Sequence, residues 1–308
     1  MIGRIFSALL GIALASPVLA QGVTLKFRDA ERDVQSCFTG SPYPRRDIEV
    51  CTFAISDGGQ AGVSLATLYE RRALAKMRAG ELEAALLDYD RAIGLVPESA
   101  EAQRGRGEVY RALGRFPEAV GDFDRAIALN PFYAEAPRGR GIARFLAGDI
   151  DASEADFVRA LEIQDLDPES WMFLGFVRWA RGAADADRAF ARADALRYAY
   201  DYLPLWRFLA TARAPARERA SEVVRREIAF LAADEWPRDL FRFFLDPSLP
   251  DNVVRDAGPH RLTSAFFVGL RLRVTSQPNR ADRYLRMVVR EGDVTSVERA
   301  LAKYIVEG

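Results

Sequence analysis

The chain has 308 residues, 49% of them apolar and 28% charged, enough to bury a sizeable core and too mixed for a low-complexity or disordered polymer. Its formal net charge is −1, and Lys26, Lys76 and Lys303 are the only lysines among 43 basic residues, an arginine bias that reads as coding preference rather than function. With 44 acidic residues interleaved among them, the arginines lack the net or clustered positive charge of a nucleic-acid binder, so no nucleic-acid partner is expected.

The first twenty residues stand apart. Arg4 precedes an apolar run from Ile5 to Ala15, and "SPVLA" follows before Gln21. The run is too short to span a bilayer, and Val18 and Ala20 are the small residues a signal peptidase requires three and one positions before its cut. The expectation is a cleaved secretory signal over 1–20, a mature chain from Gln21, no later membrane span and a periplasmic location. A retained anchor helix is the other reading. Gln21 stands where a bacterial lipoprotein would carry its lipid-bearing cysteine.

Cys37 and Cys51, the only cysteines, flank "GSPYP", a cluster of turn formers between two short amphipathic segments. Two antiparallel helices joined there would bring the thiols together, and in an oxidising compartment a structural disulfide is the default. A redox pair would more often be spaced CxxC, and a metal site would need more ligands than these two and a distant His260. Residues 21–62 are therefore expected to form an N-terminal helical cap, with no metal and no cofactor.

From Ala66 the chain repeats. Three segments starting at Ala66, Ala100 and Ala134 align at 34-residue intervals. The eighth position is Ala73, Gly107 and Gly141; the twentieth is Ala85, Ala119 and Ser153; the twenty-seventh is Ala92, Ala126 and Ala160. Pro97 and Pro131 occupy the thirty-second position of the first two. Small residues at the eighth and twentieth positions let two antiparallel helices approach closely, and the twenty-seventh admits the first helix of the next repeat. Tyr89, Phe123 and Phe157 fill the remaining space, Gly80, Gly114 and Gly148 or their neighbours end the first helices, and the prolines end the second.

The string "RGRG" appears at Arg104–Gly107 and again at Arg138–Gly141. Its register makes Gly107 and Gly141 packing residues within a helix, not a phosphate cradle. Arg72, Arg106 and Arg140 recur at the 34-residue interval, and Asp88, Asp122 and Asp156 follow each by sixteen residues on the facing helix. These six are expected to form a structural arginine–aspartate ladder in which each partner offsets the other's burial; an anion-binding stripe is the rival reading. A degenerate fourth repeat places Trp171, Leu174 and Gly175 in the order W-x-x-L-G, followed by Ala186, Phe190 and Ala193 with a turn one residue shorter. The linker "QDLDP" before it reads as a few residues longer than the others.

This pattern resembles the tetratricopeptide repeat (TPR), a helix–turn–helix unit of 34 residues. The resemblance implies an all-α fold, a right-handed superhelix of antiparallel helix pairs, with about four repeats over 63–198 and a C-terminal helical region over 199–308. "DIEVCTFAI" resembles the cysteine-bearing helix that precedes TPRs in some exported proteobacterial proteins. Beyond Tyr198, "LPLWRFLATAR" and "ERASEVVRREIAFLAA" keep helical spacing and "WPRDLFRFFLDPSLPDNVVRDAG" is a proline-punctuated connection. Gly269 and Ala281 then return to the eighth and twentieth positions, before a final capping helix. Trp236-Pro237, Phe243 to Leu245, Phe266 to Gly269 and Val297-Glu298 follow one another as in the C-terminal half of NlpI-type TPR lipoproteins, which this region resembles apart from the missing lipid site. Those proteins are adaptors that bring envelope proteases and cell-wall hydrolases together, which implies a scaffolding role here.

In TPR arrays the first helices line the concave face. The resemblance then places Glu70, Leu74 and Met77, followed by Glu101, Arg104, Glu108 and Arg111, then Arg138, Ile142 and Phe145, then Met172, Phe176 and Trp179, in a groove that grades from charged to aromatic. Such a groove suits a protein or peptide client whose apolar anchors dock near Phe145, Phe176 and Trp179 while an acidic group meets Arg104 and Arg138. Phe176 and Trp179 could equally be core residues under the C-terminal helices. A homodimer or a structural oligomer of the envelope also fits. Catalysis is not expected: His260 is the only histidine, no GxSxG, HExxH or P-loop string accompanies it, and a helical cell-wall lyase acting through Glu235 is the remaining enzymatic reading.

Overall fold

A computed structural model describes residues 34–57, 59–197, 202–211, 217–229, 237–246, 252–275, 277–293 and 295–307. The expected signal at 1–20, Glu235 and Trp236 lie outside the described residues. Every regular element among the described residues is helical. The chain divides into two compact units, one running to Pro97 and the other from Glu98 onward. The division falls inside the repeat array, after the first repeat.

In the first unit, α1 (residues 34–39) and α2 (Pro44–Ser56) are joined by the Cys37–Cys51 disulfide, closed across 14 residues. Closing a loop of that size stabilises by about 3 kcal/mol in the chain-entropy account. The bond lies in a small core with Ala54 and Leu68. Helices α3 (Gly62–Arg78) and α4 (Leu82–Leu95) form the first repeat, and α2 packs on α3. Ala73, Ala85 and Ala92, the small residues of the register, are fully buried.

The second unit continues the pairs: α5 (Ala100–Ala112) with α6 (Phe116–Leu129), α7 (Glu135–Ala147) with α8 (Ile150–Ile163), and α9 (Pro168–Ala180) with α10 (Ala186–Ala195). Where a first helix turns into a second stands a glycine at positive φ: Gly80, Gly114, Gly148 and Gly182, at intervals of 34. An L side chain is strained there, so glycine ends the helix without penalty. In each turn the amide of the next residue bonds back to a carbonyl five residues earlier, as Arg115 does to Tyr110 and Asp149 to Arg144. The series also corrects the reading of "QDLDP" as a longer linker. Pro168 opens α9, 34 residues after Ala134, so residues 164–167 span the same interval as 96–99.

Gly139, Gly141 and Gly175 mark close approach instead. A Cβ at Gly139 would lie 2.4 Å from the Phe123 ring, at Gly141 2.9 Å from Phe157, and at Gly175 2.5 Å from Phe190. The register therefore places a glycine against the rings of Phe123, Phe157 and Phe190.

After α10 come α11 (Leu203–Thr211), α12 (Arg217–Ile228), α13 (Arg238–Leu245) and the short α14 (Asn252–Arg255). A 3-10 turn at Gly258–His260 then leads into α15 (Arg261–Val274), α16 (Pro278–Glu291) and α17 (Val297–Glu307). The α15–α16 pair is built like a repeat, with a Cβ at Gly269 falling 2.9 Å from Leu285 and 3.3 Å from the Ala281 carbonyl. This region shares one apolar core with the repeats, from Phe145 through Trp206, Phe266 and Phe267 to Leu301. The chain then turns back on itself, and α17 packs against α7 and α9 as well as α15 and α16.

Candidate functional site

The ladder residues meet as pairs inside each repeat. Arg72 donates through Nε and Nη2 to the two oxygens of Asp88, both at 2.7 Å, and Asp88 is fully buried. Arg106 grips Asp122 in the same way at 2.8 and 2.7 Å. Arg140 places Nε 3.0 Å from Asp156 Oδ1, which also receives its Nη2, and reaches Asp124 with Nη1. A second cation joins at either end, Lys76 to Asp88 at 2.7 Å and Arg144 to Asp156 at 2.8 Å. Buried carboxylates held by bidentate guanidinium are satisfied structural groups. In the fourth repeat the equivalent positions hold Leu174 and Ala189, the latter just before Phe190, and both lie in the apolar core.

The other arginine of each "RGRG" does something the sequence reading missed. Arg104 donates through Nε to the Tyr133 hydroxyl at 2.7 Å, with its guanidinium 5.5 Å from that ring's centroid. Arg138, one repeat later, donates through Nη1 to Asp167 at 3.0 Å and places Nε 3.3 Å from Glu169. Tyr133 and Asp167 each lie 29 residues beyond their arginine. So the first arginine of the string reaches forward to the entry of the next repeat, while the second pairs within its own, Arg140 also reaching back to Asp124 of α6. The signal in the sequence is the 34-residue spacing of Tyr133 and Asp167, which residue identity does not reveal because their side chains differ.

Around these contacts lies a polar face within the second unit. On α5, Glu101 is exposed and Arg104, Glu108 and Arg111 are partly buried, with Arg111 bonded to Glu108 at 2.9 Å through Nε. Arg138 on α7 and Glu169 in the first turn of α9 complete it. Burial pushes the Glu169 carboxyl above its ordinary range; Asp167 and Glu108 act in the same direction, while Arg138 and Arg111 oppose them. Acidic and basic groups from three successive first helices thus share one field. The arrangement can exchange its internal ion pairs for those of a ligand. It holds no nucleophile with a neighbouring base, and His260 is exposed on its 3-10 turn.

The aromatic half of the expected groove is corrected. Met172 is 1% exposed, Phe145 0%, Phe176 2% and Trp179 4%, with Ile142 buried beside them. Phe176 and Trp179 pack edge-on to Trp206 of α11, with ring centroids 4.8 and 5.2 Å away. Val297, Tyr304, Ile305 and Val306 of α17 pack against the same cluster. These side chains face the chain's own C-terminal helices, so they are core and offer no anchor to a client. Uncovering a buried Phe would cost about 1.5–3 kcal/mol for each side chain. Glu70, Leu74 and Met77 lie on α3 in the first unit and are partly buried.

Residues 70–134 match the family model for the tetratricopeptide repeat. Among solved structures, a tetratricopeptide repeat protein from Parabacteroides merdae is 18% identical, covering 90% of this chain and 98% of its own, with a TM-score of 0.53. YrrB, described as a TPR protein with an unusual peptide-binding site, is 21% identical over 69% of this chain and 99% of its own, with a TM-score of 0.49. The MamA protein is 20% identical over 53% of this chain and 90% of its own, at 0.48. No curated protein matches the chain. Residues 70–134 are thus tetratricopeptide repeats, and the fold is that of a TPR solenoid.

Proposed function

We propose that this tetratricopeptide-repeat protein is a non-enzymatic adaptor, and that the polar face of α5, α7 and α9 receives an extended segment of a partner protein carrying both acidic and basic side chains. The observation that carries the reading is the charged network of Glu101, Arg104, Glu108, Arg111, Arg138 and Glu169, drawn from three successive first helices and left partly open to solvent. Solenoids of stacked helix pairs present extended surfaces of this kind to partners. A face of paired charges favours specificity and fast encounter over raw affinity, since a mismatched partner leaves like charges opposed.

The setting proposed is the periplasm. It is supported by the apolar run Ile5 to Ala15 with small residues before Gln21, and by two cysteines placed as a disulfide. The NlpI-like order of features in the C-terminal half supports partners among envelope proteases or cell-wall hydrolases.

The test is recovery of partners from periplasmic extract by the wild-type chain and by an Arg104→Glu, Arg111→Glu, Arg138→Glu variant whose thermal melt matches it. Partners retained by wild type and lost by the variant support the polar face. Equal recovery by both would refute it.

A further inference from the structure

A second site lies in the first unit, where a cleft of about 330 Å³ opens between the α1–α2 loop and one face of α3. Its rim is built by charge. The Ser41 amide donates to Asp47 Oδ2 at 3.0 Å, Arg78 Nη1 donates to the Ser41 carbonyl at 3.1 Å, and Arg78 lies 3.6 Å from Asp47. Gly40 takes positive φ at the bend, and the disulfide ties Cys37, on the cleft wall, to α2. Asp47 and Arg78 are thus occupied in holding the loop. Arg71 is not. It lies seven residues before Arg78 on the same face of α3, lines the cleft, and makes no ion pair or hydrogen bond among the described residues. Leu74, between the two arginines, and Cys37 supply apolar wall.

We propose that this cleft binds a small monocarboxylate bearing a compact apolar group, with its carboxylate on Arg71 and its apolar part against Leu74 and Cys37. One uncommitted guanidinium takes a planar carboxylate in two parallel hydrogen bonds. Asp47, on the opposite wall, repels a phosphate or a dicarboxylate, so a single negative charge fits best. A space of this volume corresponds to about ten waters and therefore to a ligand of roughly ten non-hydrogen atoms. Both a free organic acid and the terminal residue of a peptide carry that chemistry.

The experiment is calorimetric titration of the full-length chain with N-acetyl-leucine and, separately, N-acetyl-leucinamide. The acid should bind in or below the millimolar range and the amide at least about tenfold more weakly. Arg71→Gln should keep the wild-type melt, because Arg71 has no partner among the described residues, and should weaken the acid by about tenfold. Arg125→Gln, which removes one charge from the second unit, should bind as wild type does. A tetrapeptide ending in leucine with a free carboxylate distinguishes the sources: equal affinity assigns the cleft to chain ends, and exclusion assigns it to free acids. Equal binding of acid and amide, unchanged binding by Arg71→Gln, or no binding of the acid at millimolar concentration would each overturn the assignment.

Discussion

Arg138 and Asp167 are paired at 3.0 Å across 29 residues, and the same aspartate caps α9 by accepting from the Ser170 amide at 3.2 Å. One carboxylate therefore joins the third repeat to the start of the fourth while satisfying a helix terminus. The two roles can be separated. Asp167→Asn keeps the capping oxygen and loses the ion pair, whereas Asp167→Ala loses both. Chemical denaturation should find Asp167→Ala less stable than Asp167→Asn by about 1 kcal/mol, the usual worth of a cap. Equal stability of the two variants would mean that the cap contributes nothing.

The ladder predicts a graded response. Asp88 is fully buried and faces Arg72, Lys76 and, at 3.5 Å, the more exposed Arg91, so Asp88→Ala leaves three cations without this counter-charge. Breaking a buried pair from one side typically costs about 3–5 kcal/mol. Asp122 is less enclosed and faces Arg106, itself partly open to solvent, so Asp122→Ala should cost less, about 1–3 kcal/mol. Urea unfolding of the two variants checks the order. If Asp122→Ala melted as wild type does, the pair would be a surface ornament and not part of the frame.

Glycines in helices should divide by what lies above them. Gly139→Ala puts a methyl 2.4 Å from the Phe123 ring and 3.1 Å from a Glu108 oxygen. The ring is fully buried, so the variant should lose about 1–3 kcal/mol to overpacking. Gly121→Ala, in the exposed middle of α6 with nothing within 4 Å, should gain about 0.5–1 kcal/mol from lower unfolded-state entropy. Thermal melts that move in opposite directions are the expected outcome.

Glu298 predicts a pH dependence. It sits in the first turn of α17, where the helix terminus favours the anion, yet burial dominates and pushes its carboxyl above the ordinary glutamate range. The folded state therefore holds this proton at pH values where the unfolded chain has released it. By linkage its contribution to stability falls as pH rises from the ordinary glutamate value through the raised one, and the loss persists at neutral pH. Glu298→Gln should be more stable than wild type at pH 7, and the difference should shrink on acidification toward pH 4. A difference in melting temperature that stays constant from pH 4 to pH 7 would show that Glu298 is not desolvated in the fold.

The repeat register, the helix-ending glycines and the packing glycines are legible in the sequence because each rests on local geometry. A residue at positive φ, or one beneath an aromatic ring, must be small whatever the remainder of the chain does, so Gly114 and Gly141 declare their roles by spacing alone. The ladder is legible for the same reason, since sixteen residues separate facing positions within one hairpin. Periodicity cannot say what covers a helix face. The fifth, ninth and twelfth positions of the first helices run from Arg104, Glu108 and Arg111 to Met172, Phe176 and Trp179, and an apolar stripe looks alike whether it awaits a partner or meets a distant part of its own chain. Tertiary packing decides that question. Helices α11 and α17 come from far along the sequence to bury the aromatic end, because leaving several large side chains in water would oppose folding by more than the entropy of ordering those helices. What remains open is the charged end and the cleft beside Arg71, where the groups already carry their own hydration or counter-charge and gain little from burial.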